Sequence, residues 1–165
     1  MAGSPQTTKK LRTRSFVKSA TIPAASPGAI LAFGSSWIDA SDMHGLMAHV
    51  VANVATGGLS KVEIVANDES DGSGTTVVVK ELTLTGPEVD AVNDQVTLEC
   101  QAEEIREVGI KDYTLSTPAD RATAIDLCYV NIRVTTTNAA DVATAVLIGD
   151  SMHHHEELTP EKVIA

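Results

Sequence analysis

Apolar and polar residues alternate with a period of two along most of this chain, the spacing that sends every second side chain to one face of a strand. Leu46, Ala48, Val50, Ala52 and Val54 share one parity. Val96, Leu98, Cys100 and Ala102 form a second such run, interleaved with Gln95, Thr97, Glu99 and Gln101. Val62 and Ile64 face one way, with Lys61, Glu63 and Val65 on the other. Shorter runs at 29–33 and 37–38, and longer β-branched ones at 75–84, 125–135 and 142–148, complete the set. Thr56-Gly57-Gly58, Gly86-Pro87 and Asn93-Asp94 supply turns between them. The pattern predicts an all-β antiparallel β-sandwich, jelly-roll-like, with Val50, Val62, Ile64, Val96, Leu98, Val130, Ile132 and Val146 in its core. Helical signals are short. Glu103 to Arg106 reads as one turn, and Thr117-Pro118-Ala119-Asp120 as the capped start of a helix to about Ala124. Neither is long enough to cross between parallel strands, which excludes a βαβ fold.

Composition agrees: the chain has 18 Val, 10 Ile and 18 Thr in 165 residues, a β-branched excess that favours strands. Charge divides it. Residues 1–20 hold Lys9, Lys10, Arg12, Arg14 and Lys18 and no acid. The rest carries 22 acidic side chains and 7 basic ones, and the whole has a net charge of −10. Such a body repels phosphate, so nucleic acid is not an expected partner. The basic start, with Gly3, Ser4 and Pro5, reads either as an extended N-terminal arm with its own partner or as a solvated, disordered terminus. Three regions are therefore expected: an arm at 1–26, a sandwich at 27–150 and a tail at 151–165. No run of about 18 apolar residues exists to span a membrane, and Pro23 and Pro27 interrupt the stretch a signal peptide would need. Cys100 and Cys128 fit neither a zinc spacing nor a redox pair, and read as structural thiols of a reducing compartment.

Candidate chemistry is sparse. His153, His154 and His155, with Glu156 and Glu157, offer metal-ligating groups, but neighbouring residues point in different directions and rarely close one site. His44 and His49 read as ordinary histidines. The acidic loop at 67–74 fails the calcium-loop pattern, since the twelfth position would be Val78. It reads instead as an exposed hairpin tip. No nucleophile elbow, phosphate loop or dinucleotide fingerprint occurs. Neither catalytic residues, cofactor nor metal are expected. Of the five aromatic residues, only Trp37 and Tyr113 suit an exposed sugar-stacking platform.

Several stretches resemble the capsid decoration, or cement, proteins of tailed phages. They are Leu82-Thr83-Leu84-Thr85-Gly86, the segment from Asn93 to Ile105, Tyr129-Val130-Asn131-Ile132-Arg133-Val134-Thr135, and Ala145-Val146-Leu147-Ile148-Gly149-Asp150. The likeness covers roughly residues 60–150 and is one of pattern. Residues 108–124 look like an insertion, and the end at Ser151-Met152-His153 lacks the family's basic-aromatic close. The resemblance implies a virion structural protein on the outer capsid surface, assembled in the host cytoplasm as a homotrimer. Its partner would be the major capsid protein, with no membrane and no nucleic acid involved. The arm would supply the contact: Phe16 and Val17 as apolar anchors, and Lys9, Lys10, Arg12, Arg14 and Lys18 as surrounding charges. Two other classes compete. A carbohydrate- or receptor-binding sandwich of a spike or tail requires exposed aromatics, and a jelly-roll metalloenzyme requires a converging ligand set.

Overall fold

Two antiparallel sheets build the protein in a computed structural model that describes residues 12–24, 27–41, 43–84, 89–105 and 127–153, with side chains from 17 to 150. Among the described residues nine strands follow in chain order: β1 (Arg12–Ile22), β2 (Gly28–Leu31), β3 (Ile38–Asp39), β4 (Gly45–Val54), β5 (Leu59–Asn67), β6 (Val77–Thr83), β7 (Gln95–Gln101), β8 (Tyr129–Thr136) and β9 (Val142–His153). One sheet has the order β1-β9-β4-β7 and the other β2-β8-β5-β6, with β3 also on β8. The pairings nest: β1 with β9, β2 with β8, β4 with β7, β5 with β6. A long hairpin rolled upon itself gives this order, so the sandwich is a jelly roll. The helix expected at 117–124, the Gly86-Pro87 turn and Tyr113 lie outside the described residues. The helical turn expected near Glu103 is present at residues 102–105, where the Glu104 carboxylate accepts the Gln101 backbone N–H at 2.7 Å, one half of a capping box.

The alternating runs produce the core. Leu46, Ala48, Val50 and Ala52 of β4 pack inward beside Val96, Leu98 and Cys100 of β7 and Ala143, Ala145 and Leu147 of β9. Val62 and Ile64 of β5 and Val130, Ile132 and Val134 of β8 face them from the second sheet. Val146 is a correction: it is half-buried on the outer side of β9, because Ala145 and Leu147 take the inner side. Val54 is also turned out, 45% exposed, since the register slips between Ala52 and Val54 and re-aims the strand end. Glu63 and Val65 lie on the outer face as expected, yet both are buried. The loop at 32–37 crosses that face. Asn131 fixes it, accepting from the Phe33 N–H at 3.2 Å and donating to the Gly34 carbonyl at 3.1 Å.

The largest correction concerns the N-terminus. Arg12–Ile22, expected within the arm, is the edge strand of the first sheet and pairs with β9 along its full length, from Arg12 opposite His153 to Ile22 opposite Ala143. Ile22 is 1% exposed and belongs to the core. The sandwich therefore starts at Arg12 rather than Pro27, and residues 1–11 lie outside the described region. Backbone groups of β9 would otherwise lack partners, and that demand outweighs the polar composition of the strand.

Two buried carboxylates make stability depend on pH. Glu63 meets Arg133 through two hydrogen bonds, 2.6 Å from Nε and 3.0 Å from a terminal nitrogen. The Arg133 hydrogen bond holds its carboxyl below the ordinary glutamate value, against the opposing effect of burial. Burial likewise pushes Asp141 up, but the N–H groups of Gly57, Thr56 and Asn138, at 3.0, 2.7 and 2.8 Å, prevail and hold it down. Both groups thus stabilise the fold above their unfolded values of about 4 and cease to do so as pH falls through the lower folded ones. Asp141→Asn is expected to flatten the acid limb of a stability-against-pH curve and to cost about 1–3 kcal/mol at neutral pH, measured by urea unfolding.

Candidate interaction surface

The residues expected to make contacts fall into three groups. Lys9 and Lys10 lie outside the described residues. Arg12, Arg14 and Phe16 occupy β1 positions opposite His153, Ser151 and Gly149. Val17 is 67% exposed on the outer face, in one row with Ile148 of β9 and Met47 of β4. Lys18 is turned the other way. Its ammonium donates to the Ser36 carbonyl at 3.0 Å and sits 4.9 Å from the centre of the Phe33 ring, so it ties the edge strand to the loop after β2. It is a structural residue of the sandwich rather than a peripheral charge.

The outer face of the first sheet ends in a groove of about 880 Å³ where β4 starts and β7 and β9 finish. Its floor is apolar, with Met47 and Ile148 side by side. Gly45 leaves the floor bare: a Cβ added there would meet nothing closer than the Cys100 carbonyl, at 3.9 Å. The rim is acidic, formed by Glu99, Glu103, Glu104 and Asp150. Lys80 reaches in from β6, but its ammonium is held by Glu104 at 2.9 Å. That contact holds Glu104 below and Lys80 above their ordinary values. Among the described residues, no lysine or arginine pairs with Glu99, Glu103 or Asp150. The groove escaped sequence reading because strands far apart in the chain contribute single residues to it.

The remaining candidates are occupied locally. His49 shares a 2.9 Å hydrogen bond with the Thr97 hydroxyl, and His44 is exposed. His153 ends β9 opposite Arg12, while His154, His155, Glu156 and Glu157 lie outside the described residues. Among the described residues no three His, Cys, Asp or Glu converge to hold a metal. In the acidic loop, Asp68 accepts the Thr75 N–H at 2.7 Å and Asp71 the Ser73 N–H at 2.9 Å, so these carboxylates cap their own turn. Asn67, expected exposed with this loop, is buried, with its side chain on Thr76 and the Glu69 N–H. Cys100 is buried and its thiol is pushed up to about 12, chiefly by desolvation, so it is a poor nucleophile at neutral pH. Neither cysteine forms a disulfide. Trp37 is 9% exposed and lies against Gly72, where an added Cβ would fall on the indole. It is covered, and cannot serve as a sugar-stacking platform.

No protein-family model matches the chain. No curated protein sequence matches it either. Among solved structures it is similar to the VP2 subviral particle of infectious bursal disease virus, with 13% identity, a TM-score of 0.48, and 88% of this chain aligned to 34% of that one. It is also similar to the STIV MCP, a viral capsid protein, at 8% identity and a TM-score of 0.47, over 91% of this chain and 45% of that one. A third is the SPBc2 prophage-derived protein YomS, at 12% identity and a TM-score of 0.41, over 84% and 96% of the two chains. This chain thus spans under half the length of the two viral proteins.

Proposed function

We propose that this chain is a virion structural protein that binds the outer surface of a phage capsid as a decoration protein and stabilises the shell as a homotrimer. The observation that carries the reading is the exposed edge strand β1. It bears Arg12 and Arg14, follows directly on Lys9 and Lys10, and closes a body with 22 acidic side chains. An edge strand offers unpaired N–H and C=O groups to a strand or groove of a partner. The partner is the major capsid protein. Phe16 and Val17 are the apolar anchors, and Arg12 and Arg14 the surrounding charges. Lys9 and Lys10 contact a neighbouring protein of the coat, either a shell subunit or another copy.

Surface charge pairs contribute only ~0–1 kcal/mol each. A coat protein gains by number, because trimerisation makes the second and third attachments intramolecular. In this role the jelly roll is a rigid spacer with adhesive edges, and it performs no catalysis. Its place is the virion, after synthesis in the host cytoplasm.

Quantitative mass spectrometry of purified virions from the host that makes this chain tests the reading. The expected result is a copy number of the same order as the capsid protein, falling when particles are washed in high salt. Absence of the chain from virions overturns it.

A further inference from the structure

The groove at the end of the first sheet has the form of a peptide site. It combines a bare apolar floor at Gly45, Met47 and Ile148 with a rim whose Glu99, Glu103 and Asp150 have no described cationic partner. Its occupant should be basic, with an apolar residue among the charges. Three segments of the chain lie wholly or mainly outside the description and are long enough to fill it. Residues 106–126 carry three basic and four acidic side chains, and residues 154–165 one basic and three acidic. Residues 1–11 carry Lys9 and Lys10 beside Leu11 and no acid. Charge selects the last.

The direction of β1 then decides which copy supplies it. Arg12 stands opposite His153, three residues past Asp150 along β9, which is about 10 Å beyond the groove at ~3.3 Å per residue. Followed toward its start, β1 at Arg12 is heading away from the groove. For the chain to return into its own groove it would have to reverse at Leu11, placing Lys10 in the reversal itself. A second copy has no such constraint: its Lys9 to Leu11 lie within three residues of its own Arg12, about 10 Å when extended at ~3.3 Å each, so the start of its β1 is brought up to the groove.

We propose that the groove receives the Lys9-Lys10-Leu11 segment of a second copy of the chain, with the leucine over the bare floor and the ammonium groups against the acidic rim. The contact is head-to-tail: it joins an arm to a groove elsewhere on the next copy, and closes into a ring when the rotation between copies allows. This inference deepens the coat reading, which already gives Lys9 and Lys10 to a neighbour, by naming another copy's groove as their site; its test needs only the purified chain and no capsid.

Sedimentation of the full-length chain over a range of concentration and salt tests it. The intact chain is expected to associate at low salt and to dissociate as salt rises. Gly45→Val fills the floor at a strand position where an added Cβ has ordinary clearance, so the fold is retained. It should weaken association at least tenfold with an unchanged melting temperature. Lys9→Glu with Lys10→Glu should do the same, and mixing that variant with Glu99→Lys, Asp150→Lys protein should restore a mixed oligomer. A monomer at every concentration overturns the proposal. So does association that Gly45→Val leaves intact. If Gly45→Val instead lowers the melting temperature without changing mass, the groove holds a segment of its own chain and the proposal fails. Absence from virions would leave this result untouched, and association in solution would not rescue the coat reading.

Discussion

Leu98→Asp is expected to yield no folded protein. Leu98 is 7% exposed on the inner face of β7, opposite Ala48 of β4. The change removes about 1.5–3 kcal/mol of apolar burial. It also places a carboxylate where no cation is within the core, at a further cost of several kcal/mol unless the group takes up a proton. Domains of this size hold roughly 5–15 kcal/mol in all, so the two effects together consume most or all of it. Gln95→Asp, on the exposed face of the same strand, is the control and should change stability by about 0.5 kcal/mol or less. Circular dichroism and urea unfolding separate the two. A cooperative transition for Leu98→Asp equal to that of Gln95→Asp would mean that the strand register is slipped by one.

Truncation should show the second large effect, and it distinguishes arm from strand. Removing residues 1–11 is expected to leave the melting temperature unchanged. Removing residues 1–22 deletes β1, exposes the edge of β9 and takes Ile22 from the core. That loss should be on the order of 5 kcal/mol, combining the buried isoleucine with the unpaired backbone of a long strand. The shorter protein should also aggregate, since β9 would present Ala143, Ala145 and Leu147 beside an open edge. Thermal melts with light scattering decide. Equal stability of the two truncations would mean that β1 is an accessory.

The contrast between β7 and β1 shows what the amino-acid pattern can reveal. In β7 every outward residue is polar and every inward one apolar, so face and register were both legible. In β1 the inward parity holds Lys18 beside Ala20 and Ile22, and a lysine there reads as solvent-facing. Only the fold supplies the Ser36 carbonyl and Phe33 ring that receive its ammonium. The alternation of Ala20 and Ile22 was the available signal. In β9 both parities are apolar, Val146 and Ile148 against Ala145 and Leu147, so hydrophobicity alone could not choose the inner side. Ala143, Ala145 and Leu147 took it, and Val146 and Ile148 fell to the outer side. The groove was illegible for a different reason: Gly45, Glu99 and Asp150 adjoin only after the strands pair.

The pairing of β1 with β9 also sets a timetable. β1 is synthesised before β2 to β8 and must wait for all of them before its neighbour β9 exists, so this pairing closes late. Such non-local closures are slow, in the range of about milliseconds to seconds for β-sandwiches. Throughout that interval β1 is an unpaired strand in a crowded cell, open to joining the wrong chain. Arg12, Arg14 and Lys18 lie on it, and like charges on a waiting strand repel copies of itself. The basic character of this segment therefore opposes pairing between copies of the strand while it waits.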